Sequence, residues 1–273
     1  MPILLSLAIE IAREAGALLL GHLGGELEIS TKSSPVDLVT NADRAAEALI
    51  VARIRARFPD HAILGEEGGE QGASDAAAIR WIIDPLDGTT NFAHQIPHFA
   101  VSIGIHDREG ALVGVVHDPA RGETFFARRG GGAFVESARG PHRGLAVTPT
   151  AALGDALLGT GFAYQRSKDA LRSLAELSGL LPEIRGIRRM GSAALDLAYV
   201  AAGRLDGYWE RDLSPWDTAA GALLVQEAGG TLRQIGGDAW TPWDRSVVAA
   251  GPALMPTLLA GLAAAGEDPG QRA

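Results

Sequence analysis

The chain has 273 residues, 47% of them apolar and 21% charged, with a formal net charge of −9 at neutral pH. That balance excludes a disordered or fibrous chain, and no run reaches the roughly 20 apolar residues that a membrane span needs. The acidic surplus argues against gripping a nucleic-acid backbone, and the lack of cysteine rules out disulfides and thiolate metal sites.

Apolar residues from Met1 to Gly21 recur at helical spacing, while Glu10, Arg13 and Glu14 break what would otherwise resemble a signal peptide. The spacing predicts an amphipathic helix over Pro2–His22, ended by Gly24–Gly25, in a protein expected to stay in the cytoplasm. Short strands are predicted at Leu27–Ser30 and Asp37–Thr40. Thr40 and Asp43 then form a capping-box variant that opens a helix to about Phe58. An apolar run, Ala62–Leu64, ends in Gly65-Glu66-Glu67, and Gly68 to Ala78 reads as a loop.

Arg80–Ile83 is predicted as a strand that stops at Asp84-Pro85. The runs Phe99–His106, Ala111–His117 and Glu123–Ala127 alternate with tight turns and read as antiparallel neighbours. Gly130 to Gly132 form a turn into Ala133–Val135. After about Pro149 the texture changes. Strands at Ala156–Thr160, Ile184–Ile187, Gly207–Glu210, Thr231–Gln234 and Ser246–Ala250 interleave with helices at Ser167–Leu180, Ser192–Ala202, Trp216–Ala228 and Ala253–Ala264. The expected organisation is an antiparallel α+β subdomain over 1–149, an α/β subdomain over 150–265, and a flexible tail over 266–273.

The segment from Trp81 to Phe92 carries the chemistry. A buried strand runs into Asp84, and Asp87 follows three residues later, with Gly88 permitting a tight turn. Two carboxylates facing one point repel unless a proton or cation lies between them, and hard divalent cations prefer oxygen ligands. Surface turns hold such acids routinely, but Glu66 ends another strand, Asp43 opens a helix and Asp217 opens a third. Element ends are where sheet proteins commonly build sites. His94 and His98 sit at a zinc-like spacing, yet Pro97 between them disfavours a helix and no acidic third ligand follows. No Gly-x-Ser-x-Gly elbow is present, so a covalent hydrolase has little support.

The chain resembles the inositol monophosphatase family through five separate motifs in order. They are Lys32 to Asp43, Gly65-Glu-Glu67, Trp81 to Phe92, Gly191-Ser-Ala-Ala194 and Trp216-Asp-Thr-Ala-Ala-Gly221. The resemblance implies a layered αβαβα sandwich in the α/β (α+β) class and Mg2+-dependent, lithium-sensitive hydrolysis of a small phosphorylated polyol or sugar, myo-inositol monophosphate first among them. It further implies a homodimer.

Carried over by position, Glu66, Asp84 and the Leu86 carbonyl hold a first magnesium. Asp84, Asp87 and Asp217 hold a second, and Glu66 helps with a third. Glu66 and the Asp43–Thr89 pair orient the attacking water, whose acidity a bound metal raises. Gly88, Thr89 and Thr90 offer N–H groups to phosphate, while Asp87, Ala193 and Glu210 meet substrate hydroxyls. Lys32 belongs to the first motif and is left without a role. Ser214 stands where a histidine is frequent in animal members, which bears on polyol choice. Thr90-Asn91-Phe92 favours the inositol branch over the histidinol-phosphate type; activity on fructose bisphosphate or NADP is the alternative. A non-catalytic binding role is the alternative of a different class.

Overall fold

Three helix layers and two large sheets alternate so that each buries its hydrophobic side on the next. The computed structural model describes residues 2–25, 28–31, 38–72, 78–137, 140–162 and 168–266. Lys32 and the tail beyond Gly266 lie outside the described residues.

In chain order, α1 (Pro2–His22), β1 (Ile29–Thr31), β2 (Leu38–Thr40) and α2 (Asn41–Arg57) are followed by β3 (Ala62–Gly65), β4 (Gly69–Gln71) and β5 (Arg80–Asp87). The short helix α3 (Thr89–Ala93) leads into β6 (Ala100–Asp107), β7 (Gly110–Asp118), β8 (Glu123–Arg128), β9 (Ala133–Ser137) and β10 (Gly140–Gly144). Then come β11 (Leu157–Thr160), α4 (Lys168–Leu180), β12 (Gly186–Arg188), α5 (Ala193–Ala201), β13 (Gly207–Arg211), α6 (Pro215–Glu227), β14 (Thr231–Arg233), β15 (Ser246–Ala250) and α7 (Met255–Gly266).

An eight-stranded sheet has the order β10-β9-β8-β7-β6-β5-β3-β4, and a five-stranded sheet the order β12-β11-β13-β15-β14. Helices α1 and α2 cover the outer face of the first sheet through Ile11, Leu19, Ile50 and Ile54, which meet Trp81, Ile83 and Ile103. Helices α5 and α6 fill the space between the sheets, and α4 with α7 cover the second sheet's outer face. The result is the five-layer αβαβα sandwich.

The middle layer sits unusually close to the first sheet. A Cβ at Gly104 of β6 would fall 2.8 Å from the Ala219 Cβ, and one at Gly114 of β7 would fall 2.5 Å from the Ala220 carbonyl oxygen. Those two positions must be glycine for α6 to lie where it does. Across the layer, a Cβ at Gly221 would come 2.6 Å from Leu197 of α5.

The structure departs from the sequence reading in three places. Strand β5 does not stop at Asp84: it shifts register between Asp84 and Asp87 and rejoins β6 through the Asp87–Ala100 pair. Pro85 has no N–H for the ladder, so a local irregularity there is the physical expectation. Within the predicted loop, Gly69–Gln71 forms β4 and folds back on β3 as a hairpin. Strand β10, fully exposed and bulged against β9, carried no hydrophobic alternation that could have announced it.

Candidate active site

Two helix N-termini are built alike, and both deliver an acid. Thr40 caps α2: its Oγ1 accepts the Ala42 N–H at 3.1 Å, while Asp43 Oδ2 accepts the Thr40 N–H at 2.8 Å. Ser214 caps α6 with Pro215 at the first helical position, and Asp217 Oδ2 accepts the Ser214 N–H at 2.7 Å. In each case the third helical residue is a carboxylate that closes a capping box. Local helix chemistry therefore pins Asp43 and Asp217 before any ligand is considered.

The register shift in β5 turns its end into a cradle. Asp84 Oδ1 accepts the Leu86 N–H at 3.0 Å. Gly88 adopts φ 100° and starts α3; a Cβ there would lie 3.1 Å from the His98 carbonyl oxygen, so glycine is required twice over. The Thr89 hydroxyl stands 3.0 Å from both Asp43 Oδ1 and the Leu86 carbonyl, and its single proton can serve one of them at a time. The predicted Asp43–Thr89 pairing is thus present across 46 residues of chain.

Asp84, Asp87 and Asp217 converge so that one oxygen from each lies within 4.8 Å of the others. Glu66, directly after β3, hydrogen-bonds the Asp84 carboxyl. Burial pushes the Asp84 carboxyl well above the carboxylate range, and Glu66, Asp87 and Asp217 push it further. Asp217 rises for the same reasons, burial first and then Asp87 and Glu66. Asp87 is pushed up by burial to about 6, tempered by N–H and hydroxyl donors. Asp84 and Asp217 resist ionisation because of burial and of the acids around them, which defines a place for positive charge.

The chemistry of the donors identifies the kind of charge that fits. Asp84, Asp87, Asp217 and Glu66 offer only hard oxygen, as does the Leu86 carbonyl 3.0 Å from the Thr89 hydroxyl, which suits an octahedral divalent cation and not a soft metal.

Several supports of this arrangement had no signature in the sequence. Asp87 Oδ2 accepts the Ser192 Oγ–H and the Ala194 N–H, each at 2.7 Å, across more than a hundred residues. The Ala193 N–H also bonds Asp87, so the start of α5 orients this acid. Asn91 Nδ2 donates to the His98 and Met190 carbonyls, both at 2.8 Å, and ties α3 to the approach of α5. Ser102 Oγ donates to the Trp216 carbonyl at 3.2 Å and links β6 to the start of α6. The Gly191-Ser-Ala-Ala194 motif was the one available signal, and it pointed to substrate instead of to Asp87.

Beside the acids, Glu210 at the end of β13 accepts the Tyr208 hydroxyl proton. Burial pushes Glu210 up to about 7, offset by Tyr208 and by Arg189. A Cβ on Gly161 would collide with the Glu210 carboxylate, so this side chain packs directly on the backbone just after β11. Asp196 of α5, raised by burial and then by Glu210 and Asp87, lies behind it. His98 is buried and held neutral, its ring pushed down to about 4 by burial and then by Arg121. His94 ends α3, so the two histidines do not share a helix face.

Among the described residues no helix is long and apolar enough to cross a membrane. A family model described as the inositol monophosphatase family matches residues 3–267. The chain is 49% identical over 230 residues to an inositol-1-monophosphatase of Rhizobium meliloti, covering 83% of this chain and 84% of the relative. It is 42% identical over 261 residues to the Nus factor SuhB of Escherichia coli K12, covering 95% of each. Among solved structures, an inositol monophosphatase from Anabaena superposes with a TM-score of 0.85 at 41% identity, over 96% of both chains. The extragenic suppressor protein suhB of Bartonella henselae superposes with a TM-score of 0.88 at 37% identity, over 95% of this chain and 98% of that one. A match along nearly the whole length, on a five-layer fold with its acids gathered at strand and helix ends, places this chain in the inositol monophosphatase family.

Proposed function

We propose that this chain is a Mg2+-dependent phosphomonoesterase whose foremost substrate is myo-inositol monophosphate, with other small sugar phosphates as the alternative. The observation that carries this reading is the convergence of Asp84, Asp87 and Asp217 beside the Asp43–Thr89 pair. Glu66, Asp84 and the Leu86 carbonyl would hold one magnesium, and Asp84, Asp87 and Asp217 a second, with Glu66 available to a third. Bound there, magnesium supplies Lewis acidity toward phosphate, water and the leaving alkoxide.

The remaining work falls to the chain. Gly88, Thr89 and Thr90 present N–H groups at the start of α3, where helix carbonyls leave them to phosphate oxygens. Asp43 accepts from Thr89 Oγ1 and so fixes the rotamer of a hydroxyl that, with Glu66, can orient a water toward phosphorus. Glu210 faces the polyol side and accepts hydroxyl protons when ionised.

Phosphate release from inositol monophosphate, fructose bisphosphate, NADP, adenosine bisphosphate and histidinol phosphate tests the reading. Each is assayed with magnesium, with EDTA, and with Asp217→Asn. Magnesium-dependent turnover of inositol monophosphate, lost in the variant, is the expected result. Preference for another phosphate would move the substrate but not the chemistry, and no turnover of any would refute it. Relatives named Nus factor at 42–48% identity favour a second reading, a binding role that needs no turnover. Capture of a partner that survives Asp217→Asn would support that role.

A further inference from the structure

Helix α2 carries, one turn beyond Asp43, a second buried acid to which the site described above gives no task. Glu47 is only 5% exposed. Its Oε2 accepts the Glu67 N–H at 2.9 Å and its Oε1 accepts the Gly68 N–H at 2.6 Å. One carboxylate therefore closes the turn between β3 and β4, the turn that opens with Gly65 and Glu66. Successive N–H groups converging on one anion form a backbone nest, and here the anion is tethered to a helix.

The turn is shaped around that carboxylate. A Cβ at Gly65 would lie 2.7 Å from Glu47 Oε2, and one at Gly68 would lie 2.6 Å from Oε1. Both are closer than a side chain comes to a neighbour without displacing it. The same helix grips the base of the hairpin: Arg55 donates to the His61 carbonyl at 2.5 Å and to the Gln71 carbonyl at 3.2 Å. Positions four apart share a helix face, so Asp43 and Glu47 reach Thr89 and the Glu66 turn from one rigid element.

We infer that Glu47 is a positioning residue for the reaction: through the Glu67 and Gly68 amides it sets Glu66 against Asp43 and Asp84, with α2 as the common frame. The kinetic part of this rests on the phosphatase reading; the metal-binding part does not. Glu66 meets the Asp84 carboxyl, and the two residues that follow Glu66 in the chain are those that Glu47 pins. A displacement of about 1 Å at a reacting centre can cost about 100-fold in rate.

Glu47→Gln keeps the side-chain length but turns an NH2 toward one of the two backbone donors, so one bond is lost and donor faces donor. The expected result is a fall of about 10- to 100-fold in kcat, with KM for inositol monophosphate changed by less than about threefold. Calorimetric titration of Mg2+ into substrate-free protein should show at least one ion bound about tenfold more weakly, a loss matched by Glu66→Gln. In the Glu66→Gln background, Glu47→Gln should add nothing further, because both act on the same ligand.

A folded Glu47→Gln protein with wild-type Mg2+ affinity overturns the inference, and so do losses that add in the double variant. Should Glu47→Gln fail to fold, Gly68→Ala presses on Oε1 from the turn side. Weakened Mg2+ binding in it supports the inference, and wild-type binding overturns it. A wild-type protein that binds Mg2+ but turns over no phosphate would sink the phosphatase reading alone, and the titrations would still decide Glu47.

Discussion

Replacing Asp87 by Asn isolates the electrostatic cost of assembling this site. Burial pushes the Asp87 carboxyl from the ordinary 3.8 up to about 6. At ~1.4 kcal/mol per pKa unit, that shift amounts to about 3 kcal/mol. Between about pH 4 and pH 6 the native state keeps a proton that the unfolded chain has released. Stability of the metal-free protein therefore falls as pH rises through that window, and the full cost applies above it. Asn has no such proton to lose. Its carbonyl oxygen, set where Oδ2 lies, keeps the bonds from Ser192 and Ala194, both 2.7 Å in the parent. The variant also lifts a charge that pushes up Asp84 and Asp217. In urea melts with EDTA near pH 8, Asp87→Asn should exceed the wild type by about 3 kcal/mol, and most of that gain should vanish near pH 4.5. Added Mg2+ should reverse the order, because only the wild type gains full binding energy. A variant no more stable than wild type near pH 8 in EDTA, or a gain independent of pH, would refute the electrostatic reasoning.

Thr89→Val removes the hydroxyl between Asp43 and Leu86; kcat should fall by about 100-fold or more, and melting should show a cost of about 1–3 kcal/mol for the orphaned Asp43 oxygen. Gly114→Ala drives a methyl into a space where only 2.5 Å separates it from the Ala220 carbonyl. Urea denaturation should record a loss of about 1–3 kcal/mol, and unchanged stability would contradict the packing argument. Glu210→Gln should raise KM for inositol monophosphate by about tenfold while leaving KM for nitrophenyl phosphate near the wild-type value. In the wild type, Glu210 is protonated below about 7, so KM for the polyol should rise as pH falls through that value, and the variant should lack this dependence.

Much of the site was legible because its acids sit in short, local signals. Asp43 and Asp217 belong to capping boxes, and the Asp84 to Asp87 loop carries the proline and glycine that its geometry demands. What escaped notice was long-range or lacked a side-chain signature. Backbone N–H groups of Ala193 and Ala194 leave no mark in a sequence, although they hold Asp87. Glu47 did leave a faint one: it stands four residues after Asp43 on the same helix face, and glycines occupy positions 65 and 68 where its carboxylate needs room. Strand β10 has no buried face and so no alternation to detect, whereas α6, expected over Trp216–Ala228, is found over Pro215–Glu227.

The glycines at 104 and 114 have a consequence for how this protein can change. Helix α6 rests on strand backbone through the Ala219 methyl and the Ala220 main chain, so the elevation of Asp217 above the first sheet is set by near-backbone contact and not by any bulky side chain. Drift in the bulk of neighbouring core residues then has little leverage on the acid.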